Sequence, residues 1–117
     1  MPHKKALEML KKGDVDGFNA WVKERRKAGK SNVDLDDQDL SGLKLGEADL
    51  RKAHLNGANL RNSDLKGADL AGAGLRQADL RGCDLRQADL SDADLRRAML
   101  KGATLKKAKL KGARGVK

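Results

Sequence analysis

The sequence of 117 residues predicts an all-β solenoid preceded by a short helical segment. Leucine recurs at every fifth position, sixteen times without a miss, from Leu35 to Leu110. The residue two before each leucine is nearly always small, and the residue two after it is glycine in seven of the sixteen repeats. The first 33 residues lack this period and instead space their apolar residues as helices do.

The five-residue period excludes both a helix and a continuous strand. On a helix, steps of about 100° per residue would scatter successive leucines around the whole surface. On a strand, an odd step would send alternate leucines to opposite faces. A corner in every repeat avoids both problems, because four residues then alternate as a short strand while the fifth turns the chain. The predicted structural core is Leu35, Leu40, Leu45, Leu50, Leu55, Leu60, Leu65, Leu70, Leu75, Leu80, Leu85, Leu90, Leu95, Leu100, Leu105 and Leu110.

The repeated motif A(D/N)LXX, present as ADLRK, ANLRN, ADLRG and ADLSD, resembles that of the pentapeptide-repeat proteins. The resemblance covers residues 33–112 and implies a right-handed quadrilateral β-helix with four pentapeptides per turn, hence about four coils. Two departures at the small position, Gln38 and Leu43, fall in the first coil. The residues that replace the usual Asp or Asn are Lys44, His54, Gly74, Met99, Thr104 and Lys109.

Residues 1–32 are predicted to form an N-terminal helical cap, and residues 113–117 a basic C-terminal tail. Gly13 is expected to end a first helix, Asp14 to cap the start of a second, and Gly29 to end it. The second helix carries Phe18 and Trp21, the only aromatic residues. A solenoid needs its open apolar end covered, so these two side chains are expected to cover the first coil. An aromatic ligand site is the alternative interpretation.

The sequence offers little for catalysis. It has two histidines, one cysteine, and no Gly-rich phosphate loop, HExxH or GxSxG motif. Cys83 occupies a small inward position and is expected to be buried, whereas His54 is expected to be an exposed substitution. The aspartates belong to the repeat, so their pairing is no sign of a catalytic dyad. We expect no enzyme activity, no cofactor and no metal site.

Charge is distributed unevenly along the chain. Residues 1–33 carry a net charge of +5, residues 34–94 of −5, and residues 95–117 of +9. If four repeats make a coil, residues twenty apart stack about 4.8 Å from one another. The ladders that follow from this spacing are the candidate binding surface: Arg61, Arg81 and Lys101; Lys66, Arg86 and Lys106; and Asp49, Asp69 and Asp89. In the alternative interpretation, each Asp simply neutralises the basic residue that follows its leucine.

Three functional hypotheses remain. The first is a non-catalytic scaffold that binds another protein. The second follows from the resemblance, since some pentapeptide-repeat proteins mimic DNA and bind type II topoisomerases such as gyrase. The third is binding of nucleic acid or another polyanion through the basic C-terminal end, which is also the coil through which a homodimer would form. No segment is apolar enough for a membrane span or secretory signal, so a cytoplasmic location is expected.

Overall fold

The computed structural model describes residues 2–116, so residues 1 and 117 of the predicted cap and tail lie outside the described residues. Two helices lead the chain, α1 (Lys4–Lys11) and α2 (Val15–Lys27). Gly13, with φ of 77°, separates them. Asp14 then caps α2, because its side chain accepts a hydrogen bond of 2.9 Å from the Gly17 N–H. Neither helix is long and apolar enough to cross a membrane.

From residue 34 onward the chain winds into coils of twenty residues, each made of four repeats. Parallel β-bridges join the residue before each leucine to its equivalent one coil later, as between Asp49 and Asp69. Two hydrogen bonds accompany that bridge: the Leu50 N–H donates to the Asp69 carbonyl (2.8 Å) and the Asp69 N–H donates to the Ala48 carbonyl (2.9 Å). We number the coils from one to four as residues 34–53, 54–73, 74–93 and 94–113.

The β structure is shorter than the alternation predicted. Only one residue of each repeat forms a bridge, and two of the remaining four form a turn. The expected four-residue strands are therefore wrong, because a chain that turns within every five residues leaves too little extended backbone for a longer ladder. The contacts between coils are single bridges repeated around the solenoid.

Every corner has the same backbone conformation whether or not glycine occupies it. All sixteen residues that stand two after a leucine of the repeat have a positive φ, and nine of them are not glycine. In the corner after Leu50, the Leu50 carbonyl accepts a hydrogen bond of 3.0 Å from the Ala53 N–H, and Lys52 between them has φ of 57°. This is the pattern of a type II turn. The repeat therefore imposes a left-handed conformation that costs non-glycine residues about 1–2 kcal/mol each.

Leucine burial differs along the solenoid. The thirteen leucines of the repeat from Leu35 to Leu95 are at most 2% exposed. Leu100, Leu105 and Leu110, predicted to belong to the core, are instead partly exposed at the end of the last coil. Leu95 is 1% exposed because the chain passes over it again at Arg114, whose carbonyl accepts a hydrogen bond from the Leu95 N–H.

The two helices cover the other end. Phe18 and Val22 of α2, together with Ala6 and Leu10 of α1, are buried in one apolar cluster with the leucines of the first coil. Trp21 packs on the edge of this cluster and is partly exposed. Gln38 and Leu43, the two departures from the small position, are also only partly buried.

Candidate binding surface

The acidic ladder of Asp49, Asp69 and Asp89 lies in one column of bridges. Its charge is partly compensated. Arg26 of α2 approaches Asp49 with an Nη1 to Oδ2 distance of 3.0 Å, and Arg51 donates to both oxygens of the same carboxylate at 3.1 Å. Burial alone would raise the pKa of Asp49, but hydrogen bonds from Arg51 and Arg26 lower that pKa to about 2. This column is therefore not an uninterrupted acidic surface.

Arg61 and Arg81, two members of the first basic ladder, share one carboxylate. Arg81 Nη2 lies 2.7 Å and Arg61 Nε 3.9 Å from Asp79 Oδ2. The hydrogen bonds from Arg81 lower the pKa of Asp79 to about 2. Lys101, the third member, forms no ion pair with any residue from 2 to 116.

The second basic ladder lines an open groove. Lys66, Arg86 and Lys106 border a pocket of about 160 Å³ together with Gln87 and Lys107. Arg86 is held against Asp84 by two hydrogen bonds of 2.7 and 2.8 Å. The three lysines of this groove form no ion pair within the described part of the chain. The groove is therefore a cationic surface in which the Arg86 guanidinium is held by a carboxylate, whereas the lysine ammonium groups form no ion pair within residues 2–116.

In the third coil and at the start of the fourth, aspartate and arginine of the same repeat neutralise one another's charge in a regular way. An arginine two residues after Asp folds back onto its carboxylate, as in Asp84–Arg86 and Asp94–Arg96, each with an Nη2 to Oδ2 distance of 2.7 Å. The hydrogen bonds from Arg96 lower the pKa of Asp94 to about 2. This is the neutralisation that the alternative interpretation of the sequence expected.

The rest of the fourth coil lacks these carboxylates. Met99, Thr104 and Lys109 stand before the last three leucines, where the third coil has aspartate. Met99 is the large apolar side chain most exposed among the described residues, at 43%. Within residues 2–116, the following exposed cations of the fourth coil and of the residue after it form no ion pair: Arg97, Lys101, Lys106, Lys107, Lys109, Lys111 and Arg114.

At the C-terminal end of the solenoid, the backbone has more unpaired N–H donors than unpaired carbonyl acceptors within residues 2–116. In the third coil, each leucine N–H and the N–H two residues later donate to the next coil, while the carbonyl two residues before the leucine accepts. The equivalent groups of the last three repeats have no partner within residues 2–116. They are six N–H groups, of Leu100, Gly102, Leu105, Lys107, Leu110 and Gly112, and three carbonyls, of Ala98, Ala103 and Ala108.

Part of the N-terminal edge is paired with groups of the cap, which take the place of a preceding coil at Asp34 and at Glu47 and Asp49. Asn19 of α2 accepts a hydrogen bond of 2.7 Å from the Asp49 N–H and donates one of 3.1 Å to the Glu47 carbonyl. His3 donates its backbone N–H to the Asp34 carbonyl (3.1 Å) and accepts the Asp34 N–H at Nδ1 (2.9 Å). Neither residue was predicted from the sequence, because a lone Asn or His near a helix carries no edge-pairing pattern.

The predicted cap residues pack closely with their neighbours. Phe18 is buried, and the Arg25 guanidinium lies 4.9 Å from the centre of the Trp21 ring. The ring of His3 meets that of Trp21 edge-on at 5.9 Å. A cleft of about 30 Å³ lies between α2 and the first coil, and neither Phe18 nor Trp21 lines it.

The solenoid carries two features that could serve a metal site or a nucleophile: a cluster of Asp34, Asp36 and His54, and Cys83. Ligand atoms of Asp34, Asp36 and His54 lie within 4.8 Å of one another, a cluster that the twenty-residue spacing of Asp34 and His54 signals in the sequence. Its carboxylates already accept the N–H groups of Asp36 and Asn56. Cys83 is buried and donates to the Leu60 carbonyl at 2.7 Å. Burial raises the pKa of its thiol, which disfavours the nucleophilic thiolate.

Comparison with known proteins gives consistent results. The family model described as "Pentapeptide repeats (8 copies)" matches residues 31–67, 44–82 and 78–114. A search of curated proteins found no match. The crystal structure of HetL from Nostoc sp. PCC 7120, a pentapeptide repeat protein involved in heterocyst differentiation regulation, is 43% identical with a TM-score of 0.66. The match covers 69% of this chain and 38% of HetL.

A second similar structure is Rfr23, a pentapeptide repeat protein from Cyanothece 51142. It is 37% identical with a TM-score of 0.45, over 72% of this chain and 60% of Rfr23. A third, AT2G44920 from the thylakoid lumen of Arabidopsis thaliana, is 32% identical with a TM-score of 0.44, over 68% of this chain and 59% of that protein. The chain thus spans less than two thirds of each of these structures.

Proposed function

The chain belongs to the pentapeptide-repeat family, and we propose that it is a non-catalytic scaffold that binds another protein. The groove of Lys66, Arg86 and Lys106 carries this proposal, because it is a cationic surface on a solenoid whose leucines from Leu35 to Leu95 are buried. A groove bordered by lysines without ion pairs favours a partner with carboxylates. The right-handed quadrilateral shape is part of the proposal and is supported by the twenty-residue register. The cytoplasmic location expected from the sequence stays a prediction.

Affinity capture with the full chain tests this function. We expect a protein to be retained from native lysate at low and moderate salt, with or without nuclease. The variant Lys66→Gln/Lys106→Gln should retain less of it. The control Lys12→Gln/Lys23→Gln removes the same charge from exposed residues of the helical cap and should behave as wild type. Recovery that nuclease abolishes would favour the nucleic acid hypothesis, and equal recovery by both variants would contradict the proposed surface.

The DNA-mimic hypothesis has weaker support. Asp49, the first member of the acidic ladder, is bound by two arginines, and Asp69 lies 3.4 Å from Arg51 Nε. We therefore expect no strong inhibition of DNA gyrase supercoiling by the purified chain. Potent inhibition that is lost in Asp49→Asn/Asp69→Asn/Asp89→Asn would favour this function over the protein-binding scaffold.

A further inference from the structure

We infer that the open C-terminal edge of the solenoid binds an acidic segment of a partner protein that also carries apolar side chains. The open edge comprises the last three repeats, centred on Leu100, Leu105 and Leu110. The inference rests on the proposed protein-binding function and specifies both the surface and the chemistry of the partner. Charge, backbone hydrogen bonding and apolar exposure each support it.

The charges of the open edge lack the compensation found one coil earlier. In the third coil, Asp79 and Asp84 bind the arginines that follow them. At the equivalent positions of the open edge, Lys101 and Lys106 follow Met99 and Thr104, and no acidic residue occurs after Asp94. A partner that supplies carboxylates would restore around this edge the pairing that the preceding coil makes internally.

The backbone of the open edge has unpaired groups that favour a polypeptide partner. Its six unpaired N–H groups and three unpaired carbonyls call for a ligand with about twice as many acceptors as donors. An extended peptide supplies one acceptor and one donor per residue from its backbone. Asp and Glu side chains add acceptors without adding donors. The backbone of a bound segment can accept from these N–H groups as the carbonyls of the fourth coil do for the third, and the carboxylates of an acidic segment offer further acceptors.

Apolar side chains at this edge favour a polypeptide over a purely ionic ligand. Leu100, Leu105 and Leu110 are partly exposed here, whereas the thirteen preceding leucines of the repeat are buried. Met99 adds an exposed apolar side chain at a position that carries aspartate one coil earlier. Leucine or similar residues of the partner would bury this surface, whereas a phosphate backbone would leave it in water.

A second copy joined end to end fits this edge poorly. Each copy would bring a surplus of N–H donors to the seam, so that many would face one another without acceptors. Each would also bring seven cations that form no ion pair within residues 2–116. Repulsion between the two sets opposes association at low salt. The occupant with complementary charge is therefore a different, acidic segment.

A peptide-binding experiment with the purified chain of 117 residues tests the inference. The probe is a fluorescent peptide, DLDDQDLSGLKLGEAD, which copies residues 34–49 and combines six acidic residues with leucines in the five-residue register. We expect binding that weakens as salt rises. The variant Lys101→Gln/Lys109→Gln/Lys111→Gln should bind about tenfold more weakly. The control Lys5→Gln/Lys12→Gln/Lys23→Gln, on exposed residues of the cap, should bind as wild type.

Two further probes define the chemistry. A peptide with every Asp and Glu replaced by Asn and Gln should bind at least about tenfold more weakly, and Leu105→Ser should weaken binding of the acidic peptide. Thermal melting verifies that each variant is folded. Equal binding by both lysine variants, or by the neutral peptide, would overturn the inference. Tighter binding of duplex DNA at the same lysines would also overturn it, as would a dimer of the chain that is equally tight at low and high salt.

These outcomes are separate from those of the lysate experiment. The peptide assay measures the chemistry of the open edge with purified components and needs no natural partner. Capture that fails while the peptide binds would contradict the proposed function alone. Capture that Lys66→Gln/Lys106→Gln weakens and Lys101→Gln/Lys109→Gln/Lys111→Gln leaves unchanged, with no peptide binding, would contradict only the inference about this edge.

Discussion

The two ends of the solenoid finish the same five-residue unit in different ways. At the N-terminal end, α2 buries Phe18 and Val22 against the first coil, and Asn19 bonds to its backbone. At the C-terminal end, Leu100, Leu105 and Leu110 are partly exposed, and their N–H groups have no partner within residues 2–116. The repeat therefore buries its own leucines in the interior of the solenoid. At an end, the same burial requires residues from outside the repeat.

The chemistry of the two ends differs as well. A parallel coil presents more carbonyls on its N-terminal edge and more N–H groups on its C-terminal edge. At the N-terminal edge, the Asn19 side chain and the backbone N–H and ring of His3 form hydrogen bonds with backbone groups of the first coil. The second edge adds a ring of lysines and arginines to its surplus of donors. Both features of the open edge favour an acidic partner.

The largest effect should come from placing a charge in the interior and at the open edge in turn. Leu70→Asp buries a carboxylate at a fully buried position between two coils, and should cost about 5 kcal/mol or more, enough to unfold the chain. Leu110→Asp, at the open edge, should lower the melting temperature only slightly because water reaches that site. Circular dichroism during thermal melting measures both. A cooperative melt of Leu70→Asp like that of wild type would contradict the assigned interior.

Truncating one apolar side chain at each end sharpens the comparison. Phe18→Ala removes a fully buried ring from the cap and should lower the free energy of unfolding by about 3–5 kcal/mol. Met99→Ala, at an exposed site, should change it by less than about 0.5 kcal/mol. Urea unfolding followed by circular dichroism gives both values. Similar losses for the two variants would mean that the C-terminal end is as tightly packed as the cap.

Acid should lower the free energy of unfolding through the carboxylates that are paired with arginine. Hydrogen bonds from Arg81 and Arg96 lower the pKa values of Asp79 and Asp94 to about 2. A carboxyl group with a lowered pKa stabilises the folded state above its ordinary pKa of about 4, and that contribution disappears as pH falls towards 2. Unfolding by urea at pH values from 6 to about 2 should show this loss. Arg81→Gln/Arg96→Gln should make the free energy of unfolding less dependent on pH, and an unchanged dependence would contradict these pairs.

The smallest effect concerns the corners. Gly42 and Gly102 both have a positive φ, of 67° and 78°, and neither has a neighbour that would clash with an added Cβ. Gly42→Ala, in the covered first coil, should lower the free energy of unfolding by about 1 kcal/mol, the cost of the left-handed conformation. Gly102→Ala should lower it less, because an open coil unfolds locally before the rest. Equal costs measured by urea unfolding would show that both coils unfold together.

Much of the fold could be predicted from the sequence because the five-residue period of leucine determines which side chains point inward. The leucine spacing excluded a helix, and the small residue two before each leucine, such as Ala68, indicated a shared interior. Burial of Leu95 and exposure of Leu100 could not be predicted, because both depend on where the chain passes over the previous coil. The four-residue strands were wrong because the sequence does not reveal that two residues of every repeat turn.

The candidate surface was harder to predict than the fold. The twenty-residue spacing identified the column of Asp49 and Asp69, because stacking follows directly from the repeat. It did not reveal that Arg26 from α2 reaches Asp49, a contact between residues 23 apart in different types of structure. Nor did it reveal Asn19, whose role depends on the position of α2 over the first coil.

Residue-resolved hydrogen exchange by NMR tests the difference between the ends most directly. The Asp49 N–H, bound to Asn19 at the covered end, and the N–H groups of Leu80, Leu85 and Leu90, bound to the next coil, should exchange slowly. The equivalent N–H groups of Leu100, Leu105 and Leu110 should exchange rapidly in the free chain and slow down when the acidic peptide binds. Slow exchange at these three leucines in the free monomer would contradict the account, because it would show that the C-terminal edge is already closed.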